Sequence, residues 1–258
     1  MHMLFMFAVL AIAVGVNLVN GKLGLLGARE ATWLLTMGLL AGVLLVAGFA
    51  VKARWDGIFI DRDNRISLSR FQLILWTVVL VSAVMSVGLA NAMPPSAADP
   101  LGIEIPPQIW GLLGLGAFTA VAAPAIEDNK KKELSVLGQT SLDRTTGGLK
   151  ARQGLDEEPM FVGRMLVKAT ARDARWIDLI MGDMEGSEHV DVSKLQQLAF
   201  TLVLVVVYSM ALWSIIQGST QPGGSPAISK FPEVGDGFLA LLTISHAAYL
   251  ADKQIAST

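Results

Sequence analysis

Long apolar blocks separated by short charged stretches constrain the fold of this chain more than any other feature. The hydrocarbon core of a bilayer requires roughly 17–25 predominantly apolar residues per helix. Six segments reach or approach that length: 3–19, 32–51, 71–92, 109–126, 195–216 and 234–251. The apolar fraction of 53% is also too high for an ordinary soluble domain. These features predict an all-α membrane protein with about six transmembrane helices.

Basic residues are unevenly distributed between the predicted loops, and this asymmetry predicts the orientation. Of the 20 lysine and arginine residues, 17 fall in loop 52–70, in the long loop 127–194 or in the C-terminal tail. Because such residues concentrate in cytoplasmic loops, both termini and loop 127–194 are predicted to be cytoplasmic, as in a bacterial inner-membrane protein. Segment 3–19 lacks the basic start and the cleavage site of a secretory signal, so we interpret it as a retained helix.

Two similar phrases indicate an internal repeat: ISLSRFQLILWTVVLV at 66–81 and VDVSKLQQLAFTLVLV at 190–205. Each follows an Ala-Arg-Trp triplet and leads into a helix, a proline-containing loop and a second helix. Both copies enter the membrane from the same side, which predicts two parallel-repeat hairpins about a pseudo-twofold axis. The predicted organisation is an N-terminal helix pair (1–51), a first repeat (52–126), a cytoplasmic insertion (127–173) and a second repeat (174–258).

The repeated polar residues have two interpretations. The motif Ser-x-x-Gln occurs at Ser69–Gln72 and again at Ser193–Gln196. In the first interpretation, each motif is a capping box that satisfies backbone amides at the start of its helix. In the second, the two glutamines line a polar path between the hairpins. Further residues of that path would be Thr77, Thr201 and His246.

Basic and aromatic residues beside the two motifs predict contacts with lipid headgroups. Tryptophan favours the membrane interface, and long basic side chains extend to it. The predicted interfacial anchors are Arg54, Trp55, Arg70, Arg175, Trp176 and Lys194.

The cytoplasmic insertion (127–173) and the segment before the first repeated helix are predicted to contain a flexible linker and short extended segments. Residues 137–159 are polar with a Gly-Gly pair and predict a flexible linker. Residues 163–170 and 57–69 predict short strands, the latter broken by a turn at Asp63-Asn64. These segments are too small to hold a core alone, so we expect them to pack on the membrane surface or on a partner.

Few residues in this chain are of a type or spacing that indicates catalysis, cofactor binding or metal binding. The chain has no cysteine, which excludes disulfides and thiolate sites. No Asp, Glu, Lys or Arg falls in the centre of a predicted helix, and His246 is the one ionisable exception. That histidine is either a packing residue or a proton relay. The sequence lacks nucleotide-binding loops, paired catalytic carboxylates and zinc-ligand spacing, so we predict no enzymatic activity, cofactor, metal site or nucleic-acid partner.

Two functions are compatible with this pattern. The first is a non-enzymatic anchor, scaffold or sensor subunit that binds a protein partner through its cytoplasmic face. The second is a pore or transporter, either as a single chain or as a homo-oligomer, in which the polar path runs between the two hairpins. The concentration of unusual sequence on the cytoplasmic side favours the first.

Overall fold

The computed structural model describes residues 29–92, 99–133, 135, 139–184, 189–219 and 227–255, together with positions 12 and 15. The predicted helix 3–19 otherwise lies outside the described residues. The helices are α1 (Arg29–Lys52), α2 (Leu68–Asn91), α3 (Pro107–Lys130), α4 (Gln139–Gln153), α5 (Val192–Gly218) and α6 (Asp236–Ile255). Two strands, β1 (Met160–Val162) and β2 (Met165–Val167), form an antiparallel hairpin. Short 3₁₀ helices cover Gly57–Phe59, Ala171–Asp173 and Trp176–Leu179.

Four of these helices, α1, α2, α3 and α5, are long and apolar enough to cross a membrane. They have 24 to 27 residues, and each residue adds about 1.5 Å to a helix, so each exceeds the roughly 30 Å of a hydrocarbon core. This agrees with an integral membrane protein. The 20-residue α6 contains the predicted segment 234–251 in large part and packs against α3 and α5. The predicted total of six spans remains a prediction.

Apolar side chains on the facing sides of the helices form one core. Helix α2 packs against α1, α3 and α5, and its Trp76 lies against Tyr208 of α5 with ring centroids 5.9 Å apart. Side-chain hydrogen bonds join α1 to α2, such as Trp33 Nε1 to Ser82 Oγ at 3.1 Å. Apolar side chains on the outer surface are exposed, as expected for helices surrounded by lipid.

The helices α1, α2, α3, α5 and α6 alternate in direction, so their ends form two surfaces. At one end, Asn91 of α2 bonds the backbone of Ile228, which precedes α6, by 2.8 and 3.0 Å hydrogen bonds. We call the other end the cap end, because α1, α3 and α6 finish there while α2 and α5 begin there. The structure outside the long helices at this end is the cap: residues 53–67, 139–184 and 189–191.

The cap is built from both segments that precede the repeated helices. Ile60 and Ile66, which form a β-bridge, pack with Ala174 and Leu179 in one buried cluster. The turn between them includes Asn64 at φ +56°, whose side chain bonds the carbonyl of Lys168 at 2.9 Å. The predicted turn and the extended segment at 163–170 are therefore present. This buried cluster takes its residues from both segments, the one before α2 and the one before α5, so the two segments form a single hydrophobic core.

Residues 137–159 differ from the predicted flexible linker, because α4 forms within them. Its Leu149 is buried against Leu166 of β2 and Met181. Tertiary burial of this one apolar face stabilises a helix that the Gly-Gly pair disfavours by about 1 kcal/mol per glycine.

The N-caps of α2 and α5 lie two residues before the predicted capping serines. The N-cap of α2 is Ser67, and that of α5 is Asp191, whose carboxylate accepts a hydrogen bond from the Lys194 amide at 3.0 Å. Ser69 and Ser193 consequently lie within the first turns. The capping interpretation is wrong for both serines; an aspartate caps α5 instead.

Candidate functional site

A charge cluster lies where the cap meets the ends of the long helices. Asp183 Oδ2 accepts hydrogen bonds from Lys194 Nζ of α5 and Lys253 Nζ of α6, each at 2.9 Å. Lys253 also pairs with Glu127 of α3. Arg65 completes the cluster by donating to the backbone carbonyl of Gly182 at 2.8 Å. All five side chains are mostly removed from water, so one segment of the cap is tied to three long helices by buried charges.

A second buried ion pair fixes the cap internally. Lys168 Nζ, at the end of β2, donates to Asp178 at 2.9 Å and to the carbonyl of Asp173, also at 2.9 Å. Asp178 in turn accepts from the backbone amides of Arg175 at 3.0 Å and Ile66 at 3.3 Å. The pair therefore connects the hairpin to both segments that precede the repeated helices.

Two cap carboxylates have opposite electrostatic surroundings. Burial alone would raise the pKa of Asp183, but Lys194, Lys253 and Arg65 hold it well below its usual range. Burial raises the pKa of Asp61 to about 6, and in the described residues no basic side chain forms an ion pair with it. Asp61 Oδ1 accepts from the backbone amides of Asp63 at 2.8 Å and Arg65 at 3.0 Å.

A polar network lies among α2, α3, α5 and α6. Gln72 Nε2 donates to Thr201 Oγ1 at 2.7 Å, and Gln197 Nε2 donates to Gln72 Oε1 at 3.0 Å. His246 Nδ1 lies 3.0 Å from Gln197 Nε2 and 2.7 Å from Thr119 Oγ1. Each helix contributes at least one member, so the network fixes the relative rotation of the helices.

Some buried polar atoms beside this network have no partner among the described residues. They are Gln197 Oε1, Ser69 Oγ and Ser245 Oγ. Most buried polar atoms in native proteins are hydrogen-bonded to protein or water. Gln197 Oε1 therefore leaves the network with unused hydrogen-bonding capacity at a buried position.

The network contains some of the predicted path residues and excludes others. Gln72, Thr201 and His246 belong to it. Gln196 is exposed, and Thr77 Oγ1 bonds the carbonyl of Leu73 in its own helix at 2.7 Å. The predicted place of Gln196 is therefore wrong, whereas that of Thr77 remains a prediction, because the network member Thr119 also bonds a carbonyl of its own helix. Gln197 and Thr119 are members that sequence reasoning missed. Gln197 could have been found, because residues four apart in a helix share a face, as positions 197 and 201 do.

The predicted basic anchors make contacts within the protein. Arg54 binds Asp56 through two hydrogen bonds of 2.8 and 2.7 Å. Arg175 donates to the carbonyl of Gly154 at 2.7 Å, and Arg70 to that of Ile60 at 2.9 Å. Lys194 is only 4% exposed, so its predicted extension to the headgroups is wrong.

The two predicted aromatic anchors lie at the cap end. Trp55 stacks near Phe49 with ring centroids 4.8 Å apart, and Trp176 lies 5.6 Å from Phe59. Both indoles are more than half exposed. Their anchoring in the interface remains a prediction.

In the part of the chain that the structure describes, no group of three or more histidine, aspartate or glutamate side chains is arranged to hold a metal ion.

Comparison of the chain with protein-family models, with curated proteins and with solved structures finds no match.

Proposed function

We propose that this integral membrane protein is a non-enzymatic anchor or sensor subunit that binds a protein partner through its cap. The observation that carries the proposal is the charge cluster. Asp183 lies in the cap and bonds α5 and α6 at once, and α6 is paired with α3. A partner that displaces the cap would disturb these pairs, so binding outside the bilayer changes the packing of helices within it.

The hairpin supplies a surface for such a partner. Met160 and Val162 alternate along β1 and are 54% and 38% exposed, whereas Met165 and Leu166 of β2 are buried inside the cap. Exposed apolar side chains in register on a strand favour pairing with another protein. The partner side of the cap is therefore β1 and the adjoining α4.

The orientation and the repeat belong to the same proposal. The basic-residue asymmetry supports a cytoplasmic cap with both chain termini on that side. The local order supports a parallel repeat, because a 3₁₀ helix and a β-bridge precede both α2 and α5. The bridges are Ile60 with Ile66 and Met181 with Val190.

Affinity purification from native membranes in a mild detergent tests the proposal. We compare the unchanged protein with Met160→Ser plus Val162→Ser, and use Ile177→Ser as the matched control, since Ile177 is also exposed on the cap. We expect a stoichiometric partner that only the hairpin variant loses. A monodisperse protein without a partner, or equal recovery with all three, contradicts the proposal; a larger homo-oligomer that the hairpin variant dissociates makes the partner a second copy.

A pore or transporter is a second candidate, and the polar network favours it. Gln72, Gln197 and His246 form a hydrogen-bonded series inside the helices, and Gln197 Oε1 is available for a solute. A liposome flux assay with small ions and neutral solutes tests this function. Flux that Gln72→Leu plus Gln197→Leu abolishes, while the exposed Gln196→Leu preserves it, would favour transport over anchoring.

A further inference from the structure

A cavity of about 220 Å³ lies at the cap end, between the turn before α2 and the last turns of α3. This volume corresponds to about seven water molecules, so it suits a small charged group. Ala120, Val121 and Pro124 form its apolar wall. Val121 is 74% exposed on the outer surface of α3, so the cavity continues onto the side of the helix that faces lipid.

Two arginines supply positive charge to the cavity. Arg70 uses Nη1 to bond the carbonyl of Ile60 at 2.9 Å, and its other N–H groups bond no described residue. Arg62 is largely exposed, and its ion pair with Asp128 is long, with 3.4 Å between Nη1 and Oδ2. The third basic residue, Lys131, is already bound to Asp63 at 2.5 Å. The two guanidinium groups can therefore donate hydrogen bonds to a phosphate.

The same cavity contains acceptors for a cation. Asp61 accepts two backbone amides through Oδ1, and within the described structure no basic side chain lies within 4 Å of its carboxylate. Pro124 lies inside α3 and has no N–H, so the carbonyl of Ala120, four residues earlier, lacks its helical hydrogen bond. Both residues line the cavity. A carboxylate and a carbonyl to which Pro124 cannot donate together suit a primary ammonium.

We propose that this cavity binds the headgroup of a phospholipid with a primary ammonium, as in phosphatidylethanolamine. Arg62 and Arg70 bind its phosphate, Asp61 and the Ala120 carbonyl bind its ammonium, and its acyl chains follow the exposed apolar surface of α3. Phosphatidylcholine has no ammonium N–H to donate. Phosphatidylglycerol has no cation and would leave Asp61 without a partner. This inference concerns a lipid site and is independent of any protein partner.

Lipid titration of the purified, delipidated full chain, followed by native mass spectrometry, tests the proposal. Phosphatidylethanolamine should bind about tenfold more tightly than phosphatidylcholine or phosphatidylglycerol, as expected for one charge-assisted hydrogen bond. Equal affinity for the three lipids, or preference for either of the others, overturns the proposal. Soluble phosphoethanolamine should not compete at matched concentration, and competition would overturn the assignment to a lipid.

Variants assign the two halves of the headgroup. Asp61→Asn keeps an acceptor for both backbone amides but should abolish the preference for the ethanolamine lipid. Arg70→Gln should weaken all three lipids by about tenfold. Lys132→Gln is the control, because Lys132 is exposed nearby and does not line the cavity. An unchanged preference in Asp61→Asn refutes the ammonium site. If a variant does not fold, the lipid comparison on the unchanged protein still decides.

Discussion

Replacing Asp183 by asparagine should destabilise the folded protein by about 3 kcal/mol, the lower end of the cost of breaking a buried ion pair. Asp183 is 8% exposed, and Lys194 and Lys253 are 4% exposed. The asparagine still offers a neutral oxygen to one ammonium, which limits the loss. The change nevertheless leaves two buried ammonium groups near each other. Of these, Lys253 retains Glu127. Among the residues that the structure describes, Lys194 retains only the Met181 carbonyl, at 2.8 Å.

A double-mutant cycle separates the contributions of the two lysines. Lys194→Met in the Asp183→Asn background removes the less compensated charge and should recover about 1–2 kcal/mol. Lys253→Met in that background should recover less, because it leaves Glu127 buried without its cation. The asymmetry follows from the contacts and does not depend on the absolute stability.

Denaturant unfolding in micelles, followed by tryptophan fluorescence, measures these free energies. Tryptic cleavage after the exposed Arg144 reports the cap separately, and Asp183→Asn should accelerate it. The low pKa of Asp183 means that its contribution is fully present above about pH 4, the usual unfolded pKa, and is lost as the pH falls further. A destabilisation below about 1 kcal/mol, or one that vanishes by about pH 6, refutes the role assigned to the cluster.

Three further predictions test other parts of the structure. Gly48→Ala should lower stability by more than 1 kcal/mol, because its Cβ would overlap the first 3₁₀ helix, whereas Gly114→Ala, with no described atom within 4 Å, should not; thermal unfolding compares them. Because burial raises the pKa of Asp61 to about 6, the unchanged protein should gain stability as the pH falls from about 6 to 4. Asp61→Asn should remove this gain and should stabilise the lipid-free protein at pH 7 by at most about 3 kcal/mol, measured by the same unfolding assay. A cysteine at the exposed Leu101 should react with an impermeant thiol reagent outside intact cells, and one at Ser141 should not; the reverse pattern inverts the proposed orientation.

Hydropathy predicted the long helices because membrane burial selects composition over 20 or so consecutive residues. The capping boxes and Gln196 were assigned wrongly for a different reason. Alignment of the two repeated sequences matched Gln196 with Gln72. Burial depends instead on which side of the helix a residue occupies, and it is Gln197 that faces Gln72. The α4 helix was missed because a polar composition hides the single apolar contact, at Leu149, that stabilises it.

The charge cluster lay beyond prediction from one sequence. Its members come from α3, α5, α6 and the cap, and Glu127 and Lys253 are 126 positions apart. Hydropathy treats such residues as ordinary loop or helix-end charges. Only the packing of the helices shows that Asp183 pairs with two buried ammonium groups, whereas Asp61 forms no ion pair with a described residue.

The position of Lys253 also orders events during synthesis. It follows Asp183 by 70 residues, which a ribosome adds in roughly 4–14 s. During that interval Glu127 and Asp183 have already been made but lack the ammonium that joins them. A nascent chain that stops before α6 therefore leaves Glu127 of α3 without the cation that pairs with it, while Asp183 is held by Lys194 alone of its two ammonium partners.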